Sequence, residues 1–109
     1  MTKPELEELL KSLNVPVNEG TPEDVAIEAP TRISFWEYIW EPLVDSGSEY
    51  NTKVMYQVSV IAEFTRCKEL IDLKHKLDEL DIHPSIQHEK DIENRRWHSY
   101  FGIEVLENV

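Results

Sequence analysis

The sequence predicts an α+β fold of helix, hairpin, helix, hairpin order, with one mainly antiparallel sheet of about four strands and two helices packed on it. Three observations carry this. Leucines recur at helical spacing in two separate stretches, each stretch is followed by runs that alternate at period two, and the alternating runs are rich in β-branched and aromatic residues. A chain of 109 residues with these elements is expected to form a single domain over 1–109.

The first helix is expected over Lys3–Asn14. Thr2 and Glu5 have capping-box spacing, Pro4 suits a first turn, and Leu6, Leu9, Leu10 and Leu13 make one stripe. Pro16 disfavours helical geometry at Val15 and ends it. From there to Pro30, Gly20, Pro22 and scattered acids read as a connection, with room for one turn over Glu23–Ile27 capped by Thr21.

After Arg32, the residues Ile33, Phe35 and Ile39 alternate with Ser34, Trp36, Tyr38 and Trp40, as in a strand with large side chains on both faces. If one face enters the core, Trp36, Tyr38 and Trp40 share the other and need a second cover. Pro42 ends regular pairing or requires an edge position. In the next strand, Val54, Tyr56, Val58, Val60, Ala62 and Phe64 share one face, opposite Lys53, Gln57, Ser59 and Glu63, with Met55 and Ile61 as apolar exceptions.

The second helix is expected over Arg66–Asp81. Thr65 serves as its cap, Leu70, Leu73, Leu77 and Leu80 form its apolar face, and the charged residues from Lys68 to Glu79 stay in water. The final hairpin places Ile86 in a short strand, a turn at Asp91–Asn94, and a longer strand at Trp97–Leu106, where Gly102 suits a bulge or a close approach. The core is expected to hold Leu6, Leu10, Ile33, Phe35, Val58, Val60, Leu70, Leu73, Leu77, Phe101 and Ile103.

Charge and composition narrow the function. Twenty-two acidic residues against 11 basic ones leave a net charge of −11, which opposes phosphate contact and predicts no specific nucleic-acid binding. The single cysteine, Cys67, has no internal disulfide partner, so a reducing compartment is the expectation. No apolar stretch approaches membrane-spanning length, so no signal peptide and no membrane partner are expected.

No pattern in the sequence points to catalysis. His75, His83, His88 and His98 lack paired ligand spacing, although His88 and His98 could face each other across the last hairpin, so no metal site is expected. Cys67, in the first turn of the second helix, could have a lowered thiolate pKa, but no base lies near it by local spacing. Acid pairs such as Asp78-Glu79 and Glu7-Glu8 reflect the acidic composition. The expectation is therefore no catalytic residue, no cofactor and no enzyme activity.

The aromatics read differently. Trp36, Tyr38, Trp40, Pro42, Leu43 and Tyr50 gather around one hairpin and its connection, and aromatic anchors are enriched where proteins bind proteins. They are the expected partner-binding residues. The competing reading is a second small core, with the Asn18–Pro30 segment folded over Trp36 and Trp40.

Taken together, Leu9-Leu10-Lys11, Val15-Pro16-Val17, Ala29-Pro30-Thr31-Arg32-Ile33-Ser34-Phe35 and Tyr56-Gln57-Val58-Ser59-Val60 resemble the tail terminator, or tail-completion, family of head-tail joining proteins from long-tailed bacteriophages and prophages of Gram-positive bacteria. The resemblance spans nearly the whole chain, with Phe35 where the family often has Tyr. It implies a non-enzymatic virion assembly protein forming a homo-oligomeric ring on assembly, commonly hexameric, with a monomer in isolation left open. The implied partners are the tail tube protein below the ring and the head connector protein above it, and DNA would pass through without specific binding. Assembly in the host bacterial cytoplasm and a final place at the virion head-tail junction follow. An acidic lumen would repel DNA phosphates and let the genome slide. Another head-tail connector or neck protein, or a monomeric protein-binding regulatory module, are the alternatives.

Overall fold

The computed structural model describes residues 1–20, 29–44, 47 and 49–109. Its elements, in chain order, are α1 (Lys3–Lys11), β1 (Val17–Glu19), β2 (Arg32–Pro42), β3 (Thr52–Ala62), α2 (Lys68–Glu79), β4 (Gln87–Asp91) and β5 (Arg96–Glu107). The strands form one five-stranded sheet in the order β1-β2-β3-β5-β4. β1 runs parallel to β2, and the other neighbours are antiparallel.

The expected helix-hairpin-helix-hairpin arrangement with four strands is therefore corrected to two helices and a five-stranded mixed sheet. The added strand lies in the stretch read as connection. Pro16, which stops the helix, offers its carbonyl to the Ile33 N–H at 2.8 Å, and the Gly20 N–H reaches the Phe35 carbonyl at 2.9 Å. Between these bonds Val17, Asn18 and Glu19 align with Ile33, Ser34 and Phe35. Three residues are too few to display a period of two, so tertiary pairing decides their state. The turn expected over Glu23–Ile27 lies outside the described residues.

Both helices form within two residues of their expected ends at either terminus, except that α1 stops at Lys11. Backbone N–H groups of Ser12, Leu13 and Asn14 close its last turn, and Asn14 takes a left-handed φ of 57°. At its start, the Thr2 hydroxyl donates to the Glu5 carboxylate at 2.9 Å and caps no backbone N–H. The Met1 carbonyl accepts from Leu106 N–H, which fixes this end of α1 beside the last strand. Cys67, in extended geometry, holds the N-cap position of α2 that was expected of Thr65.

One face of the sheet carries the core. Ile33 and Phe35 of β2, Val54, Tyr56, Val58 and Val60 of β3, and Phe101, Ile103 and Val105 of β5 lie with Leu6 and Leu10 of α1 and Leu70, Leu73 and Leu77 of α2. Every residue expected in the core is buried. Phe35 and Tyr56 meet at a tilted 5.9 Å. Tyr56 keeps its hydroxyl satisfied by donating to Glu107 at 2.8 Å; burial, then this bond, push its pKa well up. Phe64, expected to continue the inner face of β3, lies past the end of that strand and is 69% exposed.

Candidate functional site

The aromatic cluster sits on the outer half of β2. The first part of this strand has β1 on its free side and the helices on its inner face, so Ile33, Ser34 and Phe35 are buried. From Trp36 to Pro42 every residue is exposed. Here β3 alone pairs with it among the described residues, so one edge of its backbone has no described strand beside it. This outer half is an arm. The molecule's long axis is 48 Å and its radius of gyration 14.6 Å, against about 13 Å for a compact domain of this length.

The arm contains a β-bulge. Glu37 pairs with Tyr56, and the next pair is Ile39 with Met55, so Tyr38 is the extra residue. The bulge reverses the alternation. Before it, Trp36 opposes Gln57 on the outer face; after it, Trp40 opposes Val54 on the face that carries the core. The expectation that Trp36, Tyr38 and Trp40 share one face is therefore corrected, because the two tryptophans lie on opposite faces. Local contacts agree. The Trp40 indole N–H donates to Glu37 at 3.0 Å, which requires a common face. Glu41 meets Lys53 at 3.4 Å, and Lys53 meets Glu104 at 3.7 Å, all on the outer side.

Exposure remains high across the arm, at 37% for Trp36, 49% for Tyr38 and 58% for Trp40, and Pro42 is also exposed. Leu43, whose N–H bonds the Asn51 carbonyl at 2.8 Å, and Tyr50 are half-buried. The structure thus brings Trp36, Tyr38, Trp40 and Pro42 together on one strand, with Leu43 and Tyr50 beside its turn. The turn end is tied to the residues after β5: the Asn51 side-chain oxygen accepts from Val109 N–H at 2.8 Å, and the Asn51 N–H donates to the Asn108 side-chain oxygen at 2.9 Å. Whether the Asn18–Pro30 segment covers the tryptophans concerns mostly residues outside those described; its first three residues belong to β1 and the turn after it.

Sequence reasoning missed two parts of this surface. Ile39, 42% exposed, reads in the sequence as in phase with Ile33 and Phe35, and the bulge moves it to the outer face opposite Met55. The available signal was Tyr38-Ile39-Trp40, three large side chains in succession where alternation requires a polar break. The other missed feature is a groove of about 400 Å³ between α2 and the start of β4, lined by Arg66, Leu70, Ile71, Lys74, Ile86 and His88.

His88 pairs with Ser99 and bonds its hydroxyl at 2.7 Å, whereas His98 pairs with Glu89, so the two histidines point to opposite faces and do not face each other across the hairpin. Among the described residues, no three His, Cys, Asp or Glu side chains are grouped as a metal site would need. Burial pushes the Cys67 thiol up in pKa and outweighs the lowering that a helix N-terminus could bring, in keeping with a packed thiol. No helix among the described residues is long and apolar enough to cross a membrane.

No protein-family model matches the chain, and no curated protein matches it in sequence. A solved structure to which it is similar is the sheath/tube terminator of an extracellular contractile injection system, PVC, in the extended state, determined by cryo-electron microscopy. The similarity has a TM-score of 0.34 at 10% identity, covers 100% of this chain and 58% of the other. The chain thus spans less than two thirds of that neighbour's length, and a likeness of this degree decides neither fold nor function.

Proposed function

We propose that this chain is a non-enzymatic assembly subunit that ends a phage-type tail, acting as one 109-residue domain in a ring that caps the tail tube and joins it to the head connector. The observation that carries the reading is the arm, which displays Trp36 and Trp40 on opposite faces of one strand whose outer edge has no described partner. A strand with aromatic groups on both faces presents apolar area that one small sheet covers on neither side, and such area is characteristic of surfaces buried on assembly. The residue pattern that resembles tail-completion proteins supports the same reading. The net charge of −11 suits a ring through which DNA slides without adhering. Assembly would take place in the host bacterial cytoplasm and leave the ring at the head-tail junction.

Electron microscopy of the purified chain mixed with assembled tail tubes tests this. Decoration confined to one tube end is the expected result. Binding along the tube wall, or to isolated connectors alone, would indicate a different neck protein. A chain that ignores both and remains monomeric would be a binding module of another kind.

A further inference from the structure

We propose that the arm of one copy seats in the groove between α2 and β4 of the next, so that copies join head to tail. This rests on the ring reading and names the contact that would build the ring.

The topology separates the two surfaces. β2 lies toward one side of the sheet, outside which β1 covers only Ile33–Phe35, and β4 forms the opposite edge. With β3 and β5 between them, the strands that carry arm and groove are about three spacings apart across the sheet, roughly 14 Å, and they lie toward opposite ends of β5, β4 pairing with Arg96–Tyr100 and the arm standing level with Gly102–Glu107. A copy cannot fill its own groove with its own arm, because the arm is held in antiparallel register with β3. A contact between two different surfaces of identical chains is heterologous. Repeated, it closes into a ring when the rotation permits and otherwise grows as a filament.

The chemistry of the two surfaces is complementary. The floor of the groove is apolar, built by Leu70, Ile71 and Ile86, with Ile71 still 40% exposed. Its rim is cationic. Lys74 is engaged by Asp78 at 3.0 Å, but Arg66 is exposed and forms no ion pair among the described residues. The arm offers the reverse, since Trp40 is exposed with Glu37 held beside it on the same face by the indole N–H. In a chain with twice as many acids as bases, a cation without an ion pair beside apolar surface is a favourable place for self-association through a carboxylate-flanked anchor. An aromatic anchor flanked by a carboxylate, entering an apolar groove flanked by Arg66, is such a contact.

Complementary disabled copies test the contact. Trp40→Ala removes the anchor and leaves the groove intact; Ile71→Glu places a carboxylate in the groove and leaves the arm intact. Wild-type protein should self-associate at high concentration in analytical ultracentrifugation, and each variant alone should weaken self-association by about tenfold or more. An equimolar mixture should recover association but stop at a heterodimer, because one working arm meets one working groove. Thermal melts establish that each variant is folded, and Glu37→Lys, which reverses the charge beside the anchor on the same face, replaces Trp40→Ala if the latter is not. Two monomer populations in the mixture, undiminished assembly of Trp40→Ala, or a wild-type chain that stays monomeric at millimolar concentration would each overturn the contact. Tube-end decoration is read separately, so failure here leaves that assay able to stand or fall by itself.

Discussion

The phenolic oxygen of Tyr38 lies 2.7 Å from the point where a β-carbon on Gly102 would stand. Tyr38 is the extra residue of the β2 bulge and Gly102 belongs to β5, so the ring reaches across β3 to the outer face of the sheet. The missing side chain at 102 is what admits it, a close approach of the kind glycine permits within a strand.

Gly102→Ala should therefore displace the Tyr38 ring. The obstructing atom is the far end of a flexible side chain, so the strand itself need not move, and the expected cost is about 1 kcal/mol. In a Tyr38→Ala background the same substitution should be neutral or stabilising, because alanine restricts the unfolded chain more than glycine does. Denaturant unfolding of the two single variants and the double variant measures the coupling. An equal penalty in both backgrounds would show that the hydroxyl is not what Gly102 accommodates.

Leu73 and Leu77 are each 1% exposed and lie where α2 meets the inner face of the sheet. Replacing either by Ala removes buried methyl groups and leaves a cavity, for an expected loss of about 2–5 kcal/mol. Chemical denaturation provides the measurement. A near-zero change at both would remove α2 from the core.

How far the sequence reveals this fold depends on whether a residue's state is set locally. The leucine stripes of α1 and α2 and the inner-face alternation of β3 and β5 are local patterns, and they fail only past the ends of their elements, where Leu80 and Phe64 are exposed. β1 is different, because Val17–Glu19 becomes a strand through bonds from Ile33 and to Phe35, which no short window contains. The candidate site divides in the same way. Its residues are visible as an aromatic cluster, but the faces they occupy depend on one extra residue in β2, and a bulge of one residue moves everything after it to the other side. The groove was hidden for a related reason: Ile71 and Ile86 are single apolar residues in separate segments, brought together only when β4 pairs with β5.

The last prediction concerns the end of α2, where both ring nitrogens of His83 lie 2.9 Å from carboxylate oxygens, Nδ1 from Asp78 and Nε2 from Asp81. Two acceptors require two donors, and imidazole supplies two only when protonated. The bond to Asp81, then that to Asp78, raises the His83 pKa above its ordinary 6.5. Asp78 is lowered in turn, first by Lys74 and then by His83. For the histidine, a raised folded-state value means that its contribution to stability is complete below the unfolded value and lost as pH rises through the folded one. For Asp78 the sign reverses, and its contribution is lost as pH falls through its depressed value. The site is exposed, so the effect on global stability is small and screened by salt. The sensitive measurement is an NMR titration of the His83 ring, expected to give a midpoint above 6.5 in the native chain and a downward shift in Asp81→Asn. A midpoint at or below 6.5, unchanged by Asp81→Asn, would show that the double carboxylate contact does not persist in solution.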